Sequence, residues 1–468
     1  MTVRSTRLTN LLILLVYISA AGLSAAPQLL PFVFALLAAA FAVLGAQNKL
    51  YMLAPVFLFF SSSILYFSGV AIADLYYAAY IVAHLLWRPR ILTKSVPVMA
   101  VIFMLYSVFV MTGFSLTVGI EVFLAFLFLV FLMDDMACRE RWGPFCSWYI
   151  IAMVSGIAYG ACLALRGGIA GTVRAQGARF TMAFTDPNYA GMFLSIGLYM
   201  LVFRCGRFKG VVRLLLIAAA AAALLMTVSS TAILCNIIVI AVLSIDYLPK
   251  ARKDARRFIK YLLLAGLAAA ALYYIGSKDI PYLSRTLHRF MEKIFSLRAG
   301  DLRAATTERS SIWRRHLRYF ADEQGVWRML FGGNYLTDRG LDATKFHTVS
   351  HEVYIDSLIC FGLVGTLVYA ISILRQISGK WRRRNRSRED KLLFVMALIW
   401  VIYSFGLSMF PFWAFSFALF AYINPMKKGP GSVEDSELRA QYPGRAHGTN
   451  IGHSAAIRLK ESIHRDDE

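Results

Sequence analysis

Residues 211–227, VVRLLLIAAAAAALLMT, and residues 230–247, STAILCNIIVIAVLSIDY, are two apolar runs with only Val228 and Ser229 between them. The first holds a single charged side chain, Arg213, and the second none before Asp246. A bilayer core is crossed by a helix of roughly 17–25 apolar residues. Water is absent at that depth, so each segment must pair its own backbone amides, which favours a helix. The two runs therefore read as a helical hairpin turning at Thr227–Ser230. The alanines of the first run let it pack closely on its neighbours.

Further runs of the same kind lie on either side. Fourteen spans are predicted, at about 8–26, 28–45, 50–67, 69–87, 96–113, 115–133, 146–165, 188–203, 211–227, 230–247, 260–276, 352–374, 391–408 and 411–425. The chain is 58% hydrophobic with mean hydropathy +0.59, far above a water-soluble domain. The period-2 alternation of a membrane β-barrel is missing. The expected fold is an all-α polytopic membrane protein of about 14 transmembrane helices (range 11–14). Its parts are an N-terminal bundle (1–165), a first basic outer loop (166–187), central helices (188–276), a large basic outer loop (277–350), C-terminal helices (351–426) and a polar, disordered cytoplasmic tail (427–468).

Charge sets the orientation. With both termini in the cytoplasm, 33 of the 49 Lys and Arg residues fall inside, at short connectors such as Arg88/Arg90/Lys94 and Arg204–Arg213 and in the tail. That is the pattern of the positive-inside rule. The net charge of +22 then marks a rim against anionic lipid and not a nucleic-acid surface. The start of the chain also resembles a signal peptide, with Arg4/Arg7, an apolar run and Ser24-Ala25-Ala26. Pro27 after that candidate site disfavours cleavage, so a retained signal-anchor is expected. The six cysteines show no CxxC spacing and none lies in either outer loop, so neither a disulfide framework nor a metal centre is expected.

The other 16 basic residues sit in the two outer loops, thirteen of them in 277–350. Long loops cross membranes largely regardless of charge, and so many guanidinium groups on an external face suit a phosphate-bearing ligand. The first loop reads RGGIAGTVRAQGARFTMAFTDPNYAG over 166–191, with Arg174 and Arg179 near the surface. Asp186 and Pro187 then look like an N-cap and first turn. Such a helix start offers free amides and a partial positive charge to an anion, or is simply a capped span. In the second loop, Glu308 to Phe320 reads as an amphipathic helix. Ile312, Trp313, Leu317 and Phe320 occupy one face, and Arg314, Arg315 and Arg318 the other. The arginines of its polar face, Arg314 and Arg318 above all, also suit plain lipid phosphates. Arg309, at the helix start, is better placed for a ligand. His351-Glu352 follows at the water–lipid boundary, where a histidine serves proton transfer or merely structure.

These features together resemble the O-antigen polymerase and ligase superfamily, integral-membrane enzymes of GT-C-like architecture. Arg179 through Asp186-Pro187-Asn188-Tyr189 resembles that family's arginine followed by a Pro-Asn helix start. Arg309-Ser310-Ser311-Ile312-Trp313, with Phe331-Gly332 later, is similar to its Arg-x-x-x-Trp helix and Phe-Gly turn. His351, Gly362 and Thr366 fit the ligase spacing, whereas Glu352 stands where Asn, Ser or Gln is usual. Ser229-Ser230-Thr231 departs from the Ser-Arg of many members.

The resemblance implies a metal-independent, cofactor-free, inverting glycosyltransferase in a bacterial inner membrane. It implies an undecaprenyl-pyrophosphate-linked oligosaccharide as donor and a lipid-linked or lipid A-core glycan as acceptor. Membrane lipids and a chain-length regulator are the further partners it brings in; nucleic acid is not one. Arg309 and Arg179 are expected at the pyrophosphate with Arg174 and Arg315 in support. His351 is expected at the proton transfer or in orienting the acceptor, with Glu352 as partner, and Asp186 and Asn188 as pocket residues. A polymerase of O-antigen or exopolysaccharide repeats is the leading expectation. A ligase follows from the His351 spacing, and a lipid-linked glycan flippase is the alternative from another class.

Overall fold

Where they are described, most of the apolar runs fold as helices; the run expected as a span at 50–67 instead holds a 3-10 turn, Leu50–Met52, a short helix, Ala54–Phe59, and an extended pair of residues, Tyr66–Phe67. A computed structural model describes residues 3–23, 26–59, 66–67, 70–87, 116–136, 139–165, 180–184, 186–227, 229–245, 288, 291–293, 295–296, 298–301, 304, 309–323, 325–332 and 352–406. The runs expected at 96–113, 260–276 and 411–425, and the tail after 427, lie outside these residues.

The N-terminal part holds α1 (Val3–Gly22), α2 (Leu30–Ala46), α3 (Ala54–Phe59), α4 (Ile72–Trp87), α5 (Leu116–Met136) and α6 (Arg139–Leu165). The middle holds α7 (Pro187–Val202), α8 (Gly210–Met226) and α9 (Ser230–Ile245). Beyond them come α10 (Arg309–Arg318), α11 (Gly325–Phe331), α12 (Val353–Arg383) and α13 (Arg388–Ser404). Among the described residues the extended structure is one antiparallel pair, Tyr66–Phe67 with Val70–Ala71. The chain is all-α, as its periodicity predicts.

Among the described residues two helical runs, Glu140–Leu163 and Gly362–Arg383, have the length and composition to cross a membrane. The shorter apolar helices, α2 and α7–α9 among them, run 10–17 residues.

Helix α7 lies at the centre. It packs on α6, α8, α9 and α13, and its side chains from Pro187 to Leu201 are almost all buried. Small residues make this possible. A Cβ at Gly191 would lie 2.9 Å from the Ala232 Cβ and 3.0 Å from the Tyr403 hydroxyl, and one at Gly197 would strike the Met153 sulfur. Buried polar atoms are then paired between helices. Asn236 donates to the Ser195 hydroxyl at 2.9 Å, and Ser195 lies 3.5 Å from the Tyr403 hydroxyl.

The outward faces of the bundle are apolar. Leu8, Leu11 and Ile18 of α1, Val82 and Leu85 of α4, Ile237 and Ile240 of α9, and Leu367, Ile371 and Leu374 of α12 are exposed.

Candidate functional site

Helix starts dominate one end of the bundle. Asp186, in extended backbone, caps α7 by accepting from the Asn188 amide at 2.7 Å, with Pro187 in the first turn. Proline suits that position because the amide it lacks would have no helical partner. Asn188 is buried, and its Oδ1 accepts from the Ser229 hydroxyl at 2.5 Å. The Ser229 oxygen in turn accepts from the Ala232 amide at 3.1 Å, capping α9. One chain of hydrogen bonds therefore ties the first turns of α7 and α9 together.

The segment carrying α10 joins them through Arg309, the first residue of that helix. Its Nη1 donates to the carbonyl oxygen of Gly406, just past α13, at 3.1 Å. Gly406 is glycine for a steric reason. A Cβ there would lie 3.0 Å from both Thr231 side-chain termini and 3.4 Å from the Arg309 Nη1. The start of α12 completes the group. Glu352 is 6% exposed and caps α12, its Oε2 accepting from the Ile355 amide at 3.2 Å. One turn on, Asp356 is fully buried. The Tyr354 ring lies against Phe405, centroids 4.7 Å apart, which fixes α12 to the end of α13.

Four helix N-termini, those of α7, α9, α10 and α12, thus gather around one guanidinium. Each carries partial positive charge, part of it already met by the caps Asp186, Ser229 and Glu352. Burial pulls the Arg309 pKa down, against the opposing fields of Asp186 and Glu352, yet a guanidinium keeps its proton at any physiological pH. Glu352 is moved the other way. Burial, helped by the nearby Asp356 charge, raises its pKa to about 7; the Ile355 amide and Arg309 pull back only part of that. Glu352 stands ahead of α12 and ten residues before the apolar run Gly362–Arg383. A carboxyl with a pKa near neutrality is able both to take up and to return a proton.

A glycine contact mounts the end of α11 on α12. Gly362 breaks that helix with φ 65 and ψ −172. A Cβ there would lie 2.4 Å from the Leu330 carbonyl oxygen and 2.5 Å from the Phe331 nitrogen. The end of α11, stopped by Gly332 at φ 88, rests directly on that break. The Phe-Gly turn and the glycine of the His351 spacing are therefore two halves of one backbone contact.

Of the expected site residues, Arg309, Asp186, Asn188 and Glu352 come together here. Arg315 does not. It is exposed on α10, six residues from Arg309 and so about 240° round the helix. Arg174, Arg179 and His351 lie outside the described residues. The face assignment of α10 also differs from expectation. Leu317, expected on the apolar face, is 43% exposed, while the neighbouring His316 is 1% exposed, its Nδ1 lying 2.8 Å from the Ile312 carbonyl oxygen. Ser229, Asp356 and Gly406 were not singled out for a site role. For Asp356 the signal was present, since it follows Glu352 at helical spacing; Gly406 had none.

Comparison with known proteins adds no relative: no family model, curated protein or solved structure matches the chain.

Proposed function

We propose that the chain is a polytopic inner-membrane glycosyltransferase that joins oligosaccharide repeats carried on undecaprenyl pyrophosphate at the outer face of the membrane. The observation carrying this reading is Arg309, bonded to the Gly406 carbonyl close to Thr231 of α9 and facing the charges of Asp186 and Glu352 at the starts of α7 and α12. Preformed positive ends and a planar guanidinium suit a departing diphosphate, whose charge grows as the glycosidic bond breaks. The membrane part draws support from the exposed leucine and isoleucine faces of α1, α4, α9 and α12, which would be an aggregation liability in water.

The step balances simply. An acceptor sugar hydroxyl attacks the anomeric carbon of the donor from the face opposite the diphosphate. A carbon–oxygen bond forms, the bond to the diphosphate oxygen breaks, and the configuration inverts. The hydroxyl proton passes to Glu352, which becomes neutral as the diphosphate becomes more negative. Arg309 holds the diphosphate throughout. Arg179, Arg174 and His351 keep the roles the resemblance gives them, the first two at the diphosphate and His351 at the acceptor. Binding both reactants in one membrane supplies the orientation.

A ligase is the second reading, favoured by Gly362, whose spacing from His351 follows the ligase pattern and whose backbone contact mounts α11. Deleting the gene and sizing the glycans separates the two. Single repeats accumulating on the carrier support the polymerase, long carrier-linked chains the ligase, and absence of outer-face repeats contradicts both.

A further inference from the structure

At the opposite end of the bundle from the Arg309 site, a groove of about 430 Å³ opens between α1, α6 and the connector after α7. That volume falls within the roughly 300–1,000 Å³ of small-molecule sites. Its walls are apolar, with Leu11 and Leu14 on one side and Trp148 and Ile151 on the other. Trp148 is held flat against Tyr17, ring centroids 5.6 Å apart, so that wall is rigid. None of the lining residues is acidic, and the polar ones include Asn10, Ser147 and Arg207.

Arg207 is mounted with some care. Gly206, at φ +90, brings the connector so close to α6 that a Cβ would lie 3.2 Å from the Ser147 oxygen. The Arg207 amide then donates to that same oxygen at 3.2 Å, while the Ser147 hydroxyl donates to the Gly143 carbonyl at 3.1 Å. The backbone is pinned and the side chain is exposed. Positive charge continues around it at Arg204 and Lys209 in the connector. Arg7 adds to it, one turn before Leu11 on the same face of α1.

We infer that this groove is a binding site for an anionic phospholipid of the cytoplasmic leaflet, one acyl chain lying between Leu14 and Trp148 and the phosphate held by Arg207 and the Asn10 amide. An apolar trough ending in an exposed, backbone-anchored arginine without nearby carboxylate among its lining matches a molecule with a long apolar tail and an anionic head. A zwitterionic lipid fills the trough equally well but gains less at Arg207. The inference rests on the membrane reading and is independent of the glycosyl transfer.

The test is native mass spectrometry of the full-length protein, released from detergent after titration with dioleoyl phosphatidylglycerol or dioleoyl phosphatidylcholine. The wild type is expected to retain one phosphatidylglycerol several-fold more strongly than phosphatidylcholine. Arg207→Ala should lose roughly fivefold of that preference, the share of one basic residue at a lipid surface. Arg207→Lys should keep most of it, and Leu14→Trp, which fills the trough, should weaken both lipids. Equal retention of the two lipids, or unchanged preference in Arg207→Ala, overturns the site. So does a lipid-free dimer, which would show a second copy in the groove. A chain washed off membranes by carbonate would instead overturn the membrane reading itself.

Discussion

Arg309 donates to the carbonyl oxygen of Gly406 at 3.1 Å, joining residues 97 apart in the chain. The contact holds the charged group at the start of α10 against the end of α13, near the first turns of α7, α9 and α12. A backbone carbonyl provides the anchor, and Asp186 and Glu352 supply the opposing charge.

Arg309→Ala is expected to lower the rate of repeat joining by roughly 10²–10³-fold, the usual cost of removing one preorganised donor from a developing charge. Arg309→Lys should restore little, since an ammonium lacks the planar fork. Glycan length in cells, alongside the amount of protein in membranes, measures both. Long chains at normal abundance in Arg309→Ala would remove the diphosphate assignment.

With Glu352 as the proposed base, joining should depend on pH. Its pKa is about 7, above the ordinary 4.5, so the unprotonated base appears as pH rises through 7, and activity should rise with it. Stability runs the opposite way. A folded value above the unfolded one contributes stability that is complete below about 4.5 and is lost as pH rises through about 7. Glu352→Gln keeps an oxygen for the Ile355 amide, so the cap survives while the base is gone. A rate profile from pH 5.5 to 8.5 should lose its rise in that variant; an unchanged rise would assign the base elsewhere.

Gly362→Ala should uncouple α11 from α12. The new Cβ meets the Leu330 carbonyl at 2.4 Å at a φ of +65, and strain of this kind costs about 1–3 kcal/mol. A lowered melting temperature together with faster proteolysis near Gly332 is the expected outcome. Wild-type behaviour on both counts would contradict the contact.

A second charged cluster makes an independent prediction for the fold. At the C-terminal end of α5, past its apolar run, Asp135 pairs with Arg141 at 2.7 Å and with His84 at 3.4 Å, and accepts from the Tyr80 hydroxyl. Burial alone would raise the Asp135 pKa, yet His84, Arg141 and Tyr80 together bring it below 3.8. The carboxylate's contribution to stability is therefore present above 3.8 and lost as pH falls through the still lower folded value. Arg141→Ala should destabilise by about 3–5 kcal/mol because it leaves a buried carboxylate poorly paired. Denaturation at pH 7 tests this, and a loss under ~1 kcal/mol would place the pair among surface-type bridges.

Different parts of this arrangement were legible in the sequence to different degrees. Helix positions were, because an apolar run needs only its own residues to be recognised: α8 and α9 stand where 211–227 and 230–247 predicted. The Asp186-Pro187 start was legible for the same reason, since a cap and its amide are two residues apart. The partners of Arg309 were not. Gly406 is an unmarked glycine after an apolar helix, and only packing brings its carbonyl to α10. The Asp135–Arg141 pair was not legible either, because only the meeting of α5 and α6 brings the two side chains together. Leu317 was expected on the apolar face, yet it is exposed while the neighbouring His316 is buried, because packing and not periodicity decides which of two adjacent side chains is covered.

The most direct measurement puts purified protein in proteoliposomes with a single repeat on undecaprenyl pyrophosphate and follows product length with time. The account predicts a growing ladder and free undecaprenyl pyrophosphate from the wild type, undiminished by EDTA, and unextended repeat from Arg309→Ala. A wild type that builds no ladder, or an Arg309→Ala variant that builds one at the wild-type rate, would contradict it.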